Sequence, residues 1–258
     1  MPDTRGGRWS AVAAIGLPVG GAVATVGLWW LVIIAFGIES YVAPTPPEVA
    51  ATFGRMPGYL LENAWVTLVE TLLGFAITIV AGVLVGTVLA GSRPVERAFM
   101  PTLVALNAVP KLAFATLLIV WMGYGRGPKV VMVILMCFFP IVLATATGLT
   151  RTPAELVELA RALSASRWQA FAKIRFPAAL PQVFIGLKVA MPLAVIGALV
   201  GELFGSTAGL GFVIQTAGAD TALSFAAIVL LALMSMVLFY ALVAVERLLV
   251  PWVPETTA

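Results

Sequence analysis

Residues 151–181, RTPAELVELARALSASRWQAFAKIRFPAALP, form a polar segment in a chain that otherwise consists of long apolar stretches. Five basic and two acidic side chains lie between positions 151 and 175. Pro153 suits the first turn of a helix that Thr152 would cap, and Glu155 and Glu158 then meet the positive end of the helix dipole. A charged, helix-forming segment between two apolar spans predicts a docking surface on the cytoplasmic side of a membrane.

The middle of the segment predicts a break between two helices. Residues 164–166, Ser-Ala-Ser, are poor helix formers that can end a first helix and cap a second. The second helix, over residues 167–175, would carry Trp168, Phe171 and Ile174 on one face. Pro177 marks the return to the membrane. An alternative is an amphipathic loop that rests on lipid headgroups.

The composition indicates an all-α integral membrane protein. The 258 residues are 61% hydrophobic and only 10% charged, whereas a soluble domain carries about 25% charged residues. The net charge of +3 does not indicate nucleic-acid binding, because the bases lie mostly in short loops between apolar spans. There is no histidine and one cysteine, so we expect neither an intrachain disulfide nor a Cys/His metal site. We expect a single domain over residues 1–258.

Six segments are apolar and long enough to cross the hydrocarbon core as helices. The first is longer than the core of a signal peptide and is expected to stay attached. Pro101 and Pro110 interrupt the third span, and Pro140 and Pro192 predict similar breaks in the fourth and fifth. The predicted spans cover residues 11–36, 64–90, 99–122, 130–149, 178–204 and 223–250.

The distribution of basic residues predicts the orientation of the spans. Six spans place both termini on one side, which would also hold the polar segment. That side would carry ten bases, against three on the other, namely Arg55, Arg126 and Lys129. By the positive-inside rule, the termini and the polar segment are expected to be cytoplasmic.

Two short segments are predicted on the opposite, outer side. A helix can start at Pro47, and residues 205–214 are too short and glycine-rich to span the membrane. Glycines 197, 201, 205 and 209 keep a four-residue spacing, which makes a smooth stripe on a helix. This stripe is either a packing face near a dimer axis or a contact with another span of the same chain.

The spacing of Glu158, Ala160, Ile174 and Pro177 resembles the EAA loop of the membrane subunits of binding-protein-dependent ABC importers. Leu159 and Ser164 depart from the usual Ala and Gly of that loop. Residues 68–75, 110–113, 121–125 and 209–211 resemble other parts of the same family. Together they resemble the branch of nitrate, sulfonate and taurine permeases and relatives that import pyrimidine-type vitamin precursors.

The resemblance implies a type I ABC importer-like fold with about six transmembrane helices and a cytoplasmic coupling helix within residues 151–177. It implies two ATPase subunits, a second permease copy as a homodimer, an extracytoplasmic binding protein and a location in the bacterial plasma (inner) membrane. The residues expected to contact the ATPase are Glu158, Ala160, Arg161, Ser164, Arg167, Trp168, Ile174 and Pro177.

The chain is not expected to be an enzyme. It has no G-x-x-x-x-G-K-[ST] phosphate loop, and the glycine-rich residues 123–129 have the wrong spacing. By resemblance, ATP and Mg would bind the partner ATPase, and this chain needs no cofactor or metal. Rival interpretations are a channel, which needs no ATPase docking surface, and an intramembrane enzyme, which needs a cluster of reactive groups that the sequence does not offer.

Glu70, Lys111, Lys188 and Glu202 lie inside predicted spans, where charges are costly and often functional. We expect Lys111, beside Asn107 at the break in the third span, to contact a polar or anionic solute, and Glu202 to belong to an outer gate. The alternative is structural: Lys188 pairs with Glu70, while Lys111 and Glu202 extend toward the interface. The candidate pathway residues are Asn107, Lys111, Lys188 and Glu202. Both an anionic solute, such as a sulfonate or nitrate, and a neutral pyrimidine fit these charges.

Overall fold

The computed structural model describes residues 6–153, 155–156, 158 and 162–252. These residues form helices and their connections. The helices are α1 Gly6–Phe36, α2 Pro46–Arg55, α3 Pro57–Gly91, α4 Arg93–Ala108, α5 Leu112–Met122, α6 Arg126–Thr150, α7 Arg167–Ala170, α8 Phe176–Gly205, α9 Leu210–Thr216 and α10 Thr221–Leu249.

The number of candidate spans agrees with the prediction of about six. In the described part of the chain, five helical segments are long and apolar enough to cross a membrane, and the bent pair α4–α5 makes a sixth if it counts as one span. The chain from Arg167 to Gly205 is one continuous helical segment. The predicted second helix of the polar segment is therefore the start of a span rather than a separate helix.

The predicted break in the third span is confirmed at Pro110, where α4 and α5 meet at 91°. Val109 has the extended backbone that a residue before proline prefers. The predicted interruption at Pro101 is wrong, because α4 continues through it. The predicted breaks at Pro140 and Pro192 are wrong as well, because α6 and α8 continue through them. These two helices pack along each other, and such packing lets a helix absorb a proline.

Helices α3, α6 and α8 form the centre of the bundle. On α3, a side chain at Gly74, Gly82 or Gly86 would collide with Val133, Ile141 or Thr145 of α6. These glycines therefore permit the close backbone approach of the two helices. The buried apolar core along this contact includes Phe75, Cys137, Phe184, Leu187 and Met191.

The glycine stripe on α8 faces other spans of the same chain. Gly197 lies against Val133, Gly201 against Lys129, and Gly205 against Ile119. The interpretation as an internal contact is therefore confirmed, and the interpretation as a face on a dimer axis is wrong for these positions.

Both predicted short outer helices are present, as α2 and α9. At the start of α2, Glu48 accepts a hydrogen bond from the Thr45 backbone N–H (2.7 Å) and another from the Ser40 hydroxyl (2.8 Å). These hydrogen bonds hold the pKa of the Glu48 carboxyl group below its usual range, and the bond from the Thr45 backbone has the larger effect. They tie the connection after α1 to the first turn of α2.

Candidate functional site

The predicted helix break lies at Ser164, which has a positive φ of 53°. The Ser166 hydroxyl caps α7 by accepting a bond from the Gln169 N–H (3.2 Å), and the Gln169 side chain accepts one from the Ser166 N–H (2.9 Å). This reciprocal pair is a capping box. The predicted end of one helix and capping of the next are thus confirmed.

A π turn at Phe171–Arg175 joins α7 to α8. Pro177 has no N–H for the Lys173 carbonyl, so a regular α-helical bond is impossible there. A wider turn just before a proline accommodates its ring, and such turns are frequent at functional sites. The rings of Trp168, Phe171 and Phe176 contact one another in series at tilted angles, with centroids 5.9 and 6.0 Å apart, and link the tip of the hairpin to α8.

Large apolar side chains at the hairpin tip are exposed. Trp168 is 73% exposed and Leu163 is 72% exposed. Glu158, Ser164 and Arg167 are exposed as well, while Ile174 and Pro177 are half-buried. The predicted contact residues Ala160 and Arg161 lie outside the described residues. A charged segment that exposes a tryptophan and a leucine has the composition of a protein-binding surface.

The base of the hairpin adjoins a polar cavity of about 390 Å³ between the ends of three other helices. Arg93 and Arg175, which the sequence assigns to one side of the membrane, therefore lie at the same end of the bundle. The cavity is lined by Ala90, Arg93, Glu96, Leu149, Thr150, Thr152 and Arg175.

At the far end of the bundle, opposite the hairpin, Glu202 of α8 is fully buried. Its carboxyl group accepts hydrogen bonds from the Thr67 hydroxyl (2.7 Å) and the Gly211 N–H (2.6 Å). The suggestion that Glu202 extends toward the interface is therefore wrong. Its side chain points inward, where α3 and the segment after α8 each supply one hydrogen-bond donor.

The same side chains fasten the segment after α8 to α3. The Gly209 N–H donates to the Asn63 side chain (2.8 Å), and the Leu210 N–H donates to the Thr67 hydroxyl (2.8 Å). Gly209 has φ +105° and lies directly against Glu202, so a side chain there would be strained and would collide. We call Asn63, Thr67, Glu202 and the amides of residues 209–211 the Glu202 latch.

Two ion pairs join neighbouring helices, one of them buried and the other half-buried. Lys129 Nζ of α6 lies 3.8 Å from Glu70 Oε1 of α3, and Lys188 of α8 lies 2.9 Å from Glu246 of α10. The suggested pairing of Lys188 with Glu70 is therefore wrong. Lys129 lies within α6 and is 5% exposed. The count of basic residues on each side of the membrane had treated it as a residue of an outer loop, which is wrong. The pattern of apolar spans does not indicate that the Lys129 side chain points into the bundle.

Lys111 lies at the bend between α4 and α5. Its ammonium group donates to the Asn107 side chain (2.8 Å) and to the Asn107 carbonyl (3.1 Å). The four candidate pathway residues do not form one cluster. Asn107 and Lys111 lie together, whereas Lys188 and Glu202 are fourteen residues apart on one helix, about 21 Å along its axis.

The family described as "Binding-protein-dependent transport system inner membrane component" matches residues 78–253, which include the hairpin, α8 and Glu202. The chain belongs to this family. It is thus a permease subunit of a binding-protein-dependent ABC importer, as the EAA-like spacing predicted. The match begins within α3 and leaves out α1 and α2.

Several curated relatives resemble the permease over most of its length. It is 36% identical to the riboflavin transport system permease protein of Chloroflexus aurantiacus, over 93% of this chain and 90% of that one. It is 34% identical to the formylaminopyrimidine transport permease protein of Halalkalibacterium halodurans, over 83% and 87%. It is 32% identical to a putative aliphatic sulfonates transport permease protein of Bacillus subtilis, over 86% and 83%. These relatives confirm the predicted branch.

A solved transporter shares the fold. An inward-facing structure of the MetNI methionine ABC transporter matches with a TM-score of 0.67 at 22% identity, over 76% of the permease and 98% of that chain. The predicted all-α fold of the type I importer kind is confirmed. The permease is a multi-pass membrane protein.

Proposed function

We propose that the permease forms the pathway by which an ATP-driven importer moves a small polar or anionic solute across the bacterial plasma membrane. Two copies pair, with both termini and the hairpin at residues 151–177 in the cytoplasm. Two ATPase subunits bind the hairpins, carry the ATP and Mg, and drive the transition. An extracytoplasmic binding protein delivers the solute at the far end.

The observation that carries this proposal is the exposed hairpin with its capped, rigidly joined helix. Trp168 is exposed at the tip, and its ring is connected through Phe171 to the start of α8. Because α8 continues from the hairpin without a break, a displacement of the tip is transmitted into the centre of the bundle. A segment that only rested on lipid would not need this connection.

The partners of the lysines within the spans favour a solute that carries a hydrogen-bond-accepting oxygen. Among the described lysines within spans, Lys129 and Lys188 are paired with carboxylates, whereas Lys111 contacts only Asn107. An ammonium group with an uncharged partner can bind a sulfonate or carboxylate, and also a ring carbonyl. A heterocyclic vitamin or its precursor is the second candidate, favoured by the names of two relatives that are more than 30% identical.

The proposal is tested by expressing the permease with the ATPase and the binding protein encoded beside it. We expect the ATPase to co-purify and liposomes containing the complex to take up solute only with ATP. Tight-binding solutes would be found by a ligand screen on the binding protein. Uptake without ATP, or a permease that purifies without any ATPase, would favour a channel instead.

The replacement Lys111→Met tests the role assigned to the bend. A charged hydrogen bond contributes about 1.5–3 kcal/mol, so we expect solute uptake at low concentration to fall about 10- to 100-fold. Lys111→Arg keeps the charge and should retain much of the activity. Transport assays over a range of solute concentrations measure both. Unchanged uptake by Lys111→Met would remove Lys111 from the pathway.

A further inference from the structure

Two carboxyl groups and one ammonium group meet where α3, α6 and α8 pack at the far end of the bundle. Glu70, Lys129 and Glu202 are 1%, 5% and 0% exposed. Lys129 Nζ is 3.8 Å from Glu70 Oε1, and the carboxyl group of Glu202 accepts a bond from Thr67, which lies one helical turn before Glu70 on α3. The Glu202 latch explains the hydrogen bonds of Glu202 in this cluster. It includes no contact with Glu70, so the burial of Glu70 needs another explanation.

The charges of the cluster do not balance if every group is ionised. Two carboxylates would face one ammonium group, which leaves a net negative charge inside the protein. Arg126, at the start of α6, also attracts Glu70, but it is exposed and its charge is screened by solvent. The segment at α9 contributes only the Gly211 N–H. A buried charge without a partner is strongly unfavourable.

The hydrogen bonds of the two carboxyl groups are also unequal. Glu202 accepts bonds from Thr67 and Gly211, whereas neither oxygen of Glu70 has a hydrogen-bond partner among the described residues. A buried polar atom without a partner is costly. One added proton would remove the excess charge and supply a donor between the two groups.

We propose that Glu70 and Glu202 form a buried binding site for one hydrogen ion, which the pair shares at neutral pH. The step is simple proton uptake: one carboxylate takes a proton from water and becomes a carboxylic acid that donates to the other. Interacting carboxyl groups of this kind titrate as a pair rather than as separate residues. The site exists only while α3 and α8 are packed together, so a step that separates them would release the proton.

Infrared spectroscopy of the purified complex, with its ATPase, tests the site directly. At neutral pH we expect the carbonyl stretch of a protonated carboxylic acid. Because the acid exists only when two carboxyls face one ammonium group, Glu70→Gln and Glu202→Gln should each abolish the band. Glu246→Gln is the matched control and should leave the band unchanged, since Lys188 is the one ion-pair partner of Glu246 among the described residues.

The wild-type complex gives an answer even if a variant fails to fold. Its band should disappear reversibly as the pH is raised, and should be the same in sodium and in choline chloride. Absence of the band at neutral pH would overturn the proposal. A band that persists in both folded Gln variants would overturn the proposal too. So would an unfolding temperature that depends on sodium, because the balancing positive charge would then come from a metal cation rather than from a proton.

Discussion

Replacement of Trp168 by alanine is expected to abolish most ATP-driven uptake while leaving the permease folded. The indole is 73% exposed at the hairpin tip, so its removal costs the isolated subunit little packing. In a complex, a tryptophan that fills a pocket contributes about 2 kcal/mol or more. A loss of that size weakens ATPase binding at least about 30-fold.

Three measurements separate loss of coupling from loss of folding. Co-purification should report less ATPase per permease, uptake in liposomes should fall, and thermal unfolding of the permease should stay near the wild-type temperature. Trp65→Ala is a matched control, because Trp65 is 65% exposed but lies on α3 away from the hairpin. Equal uptake by the Trp168→Ala and wild-type proteins would place the ATPase contact elsewhere.

Replacement of Gly201 by leucine is expected to prevent stable folding. A Cβ atom at Gly201 would lie 2.8 Å from the Cα of Lys129, which is main chain and cannot move aside without displacing α6. Overpacking of a core costs about 1–3 kcal/mol and occasionally more. Separation of α6 from α8 would also disturb the Lys129–Glu70 pair, so we expect the upper part of that range or beyond.

Thermal unfolding and the yield of monodisperse protein in detergent measure this effect. Gly27→Leu is the control, since a Cβ atom added at this position in α1 has no neighbouring side chain or other helix within 4 Å. We expect Gly27→Leu to retain the wild-type unfolding temperature and Gly201→Leu to be recovered mainly as aggregate. A well-folded Gly201→Leu protein would mean that the two helices pack less closely than described.

Local signals in the sequence were sufficient for several features. The capping pair of Ser166 and Gln169 and the bend at Pro110 depend on residues within four positions of each other, and both were predictable. Spans such as α3 and α10 follow from unbroken apolar stretches. Pro101, Pro140 and Pro192 show the limit of such signals, because proline breaks the chain at Pro110 but is accommodated within a helix at these other positions.

The amino-acid sequence was enough to predict a helical membrane protein with a capped, charged hairpin that matches one family. These properties depend on composition and on neighbours along the chain. Three contacts could be known only from the packing of the helices: Thr67 with Glu202, Lys129 with Glu70, and Lys188 with Glu246. The partners in these three contacts are 135, 59 and 58 residues apart along the chain. They meet through the rotation and register of packed helices, which depend on contacts between segments far apart in the chain.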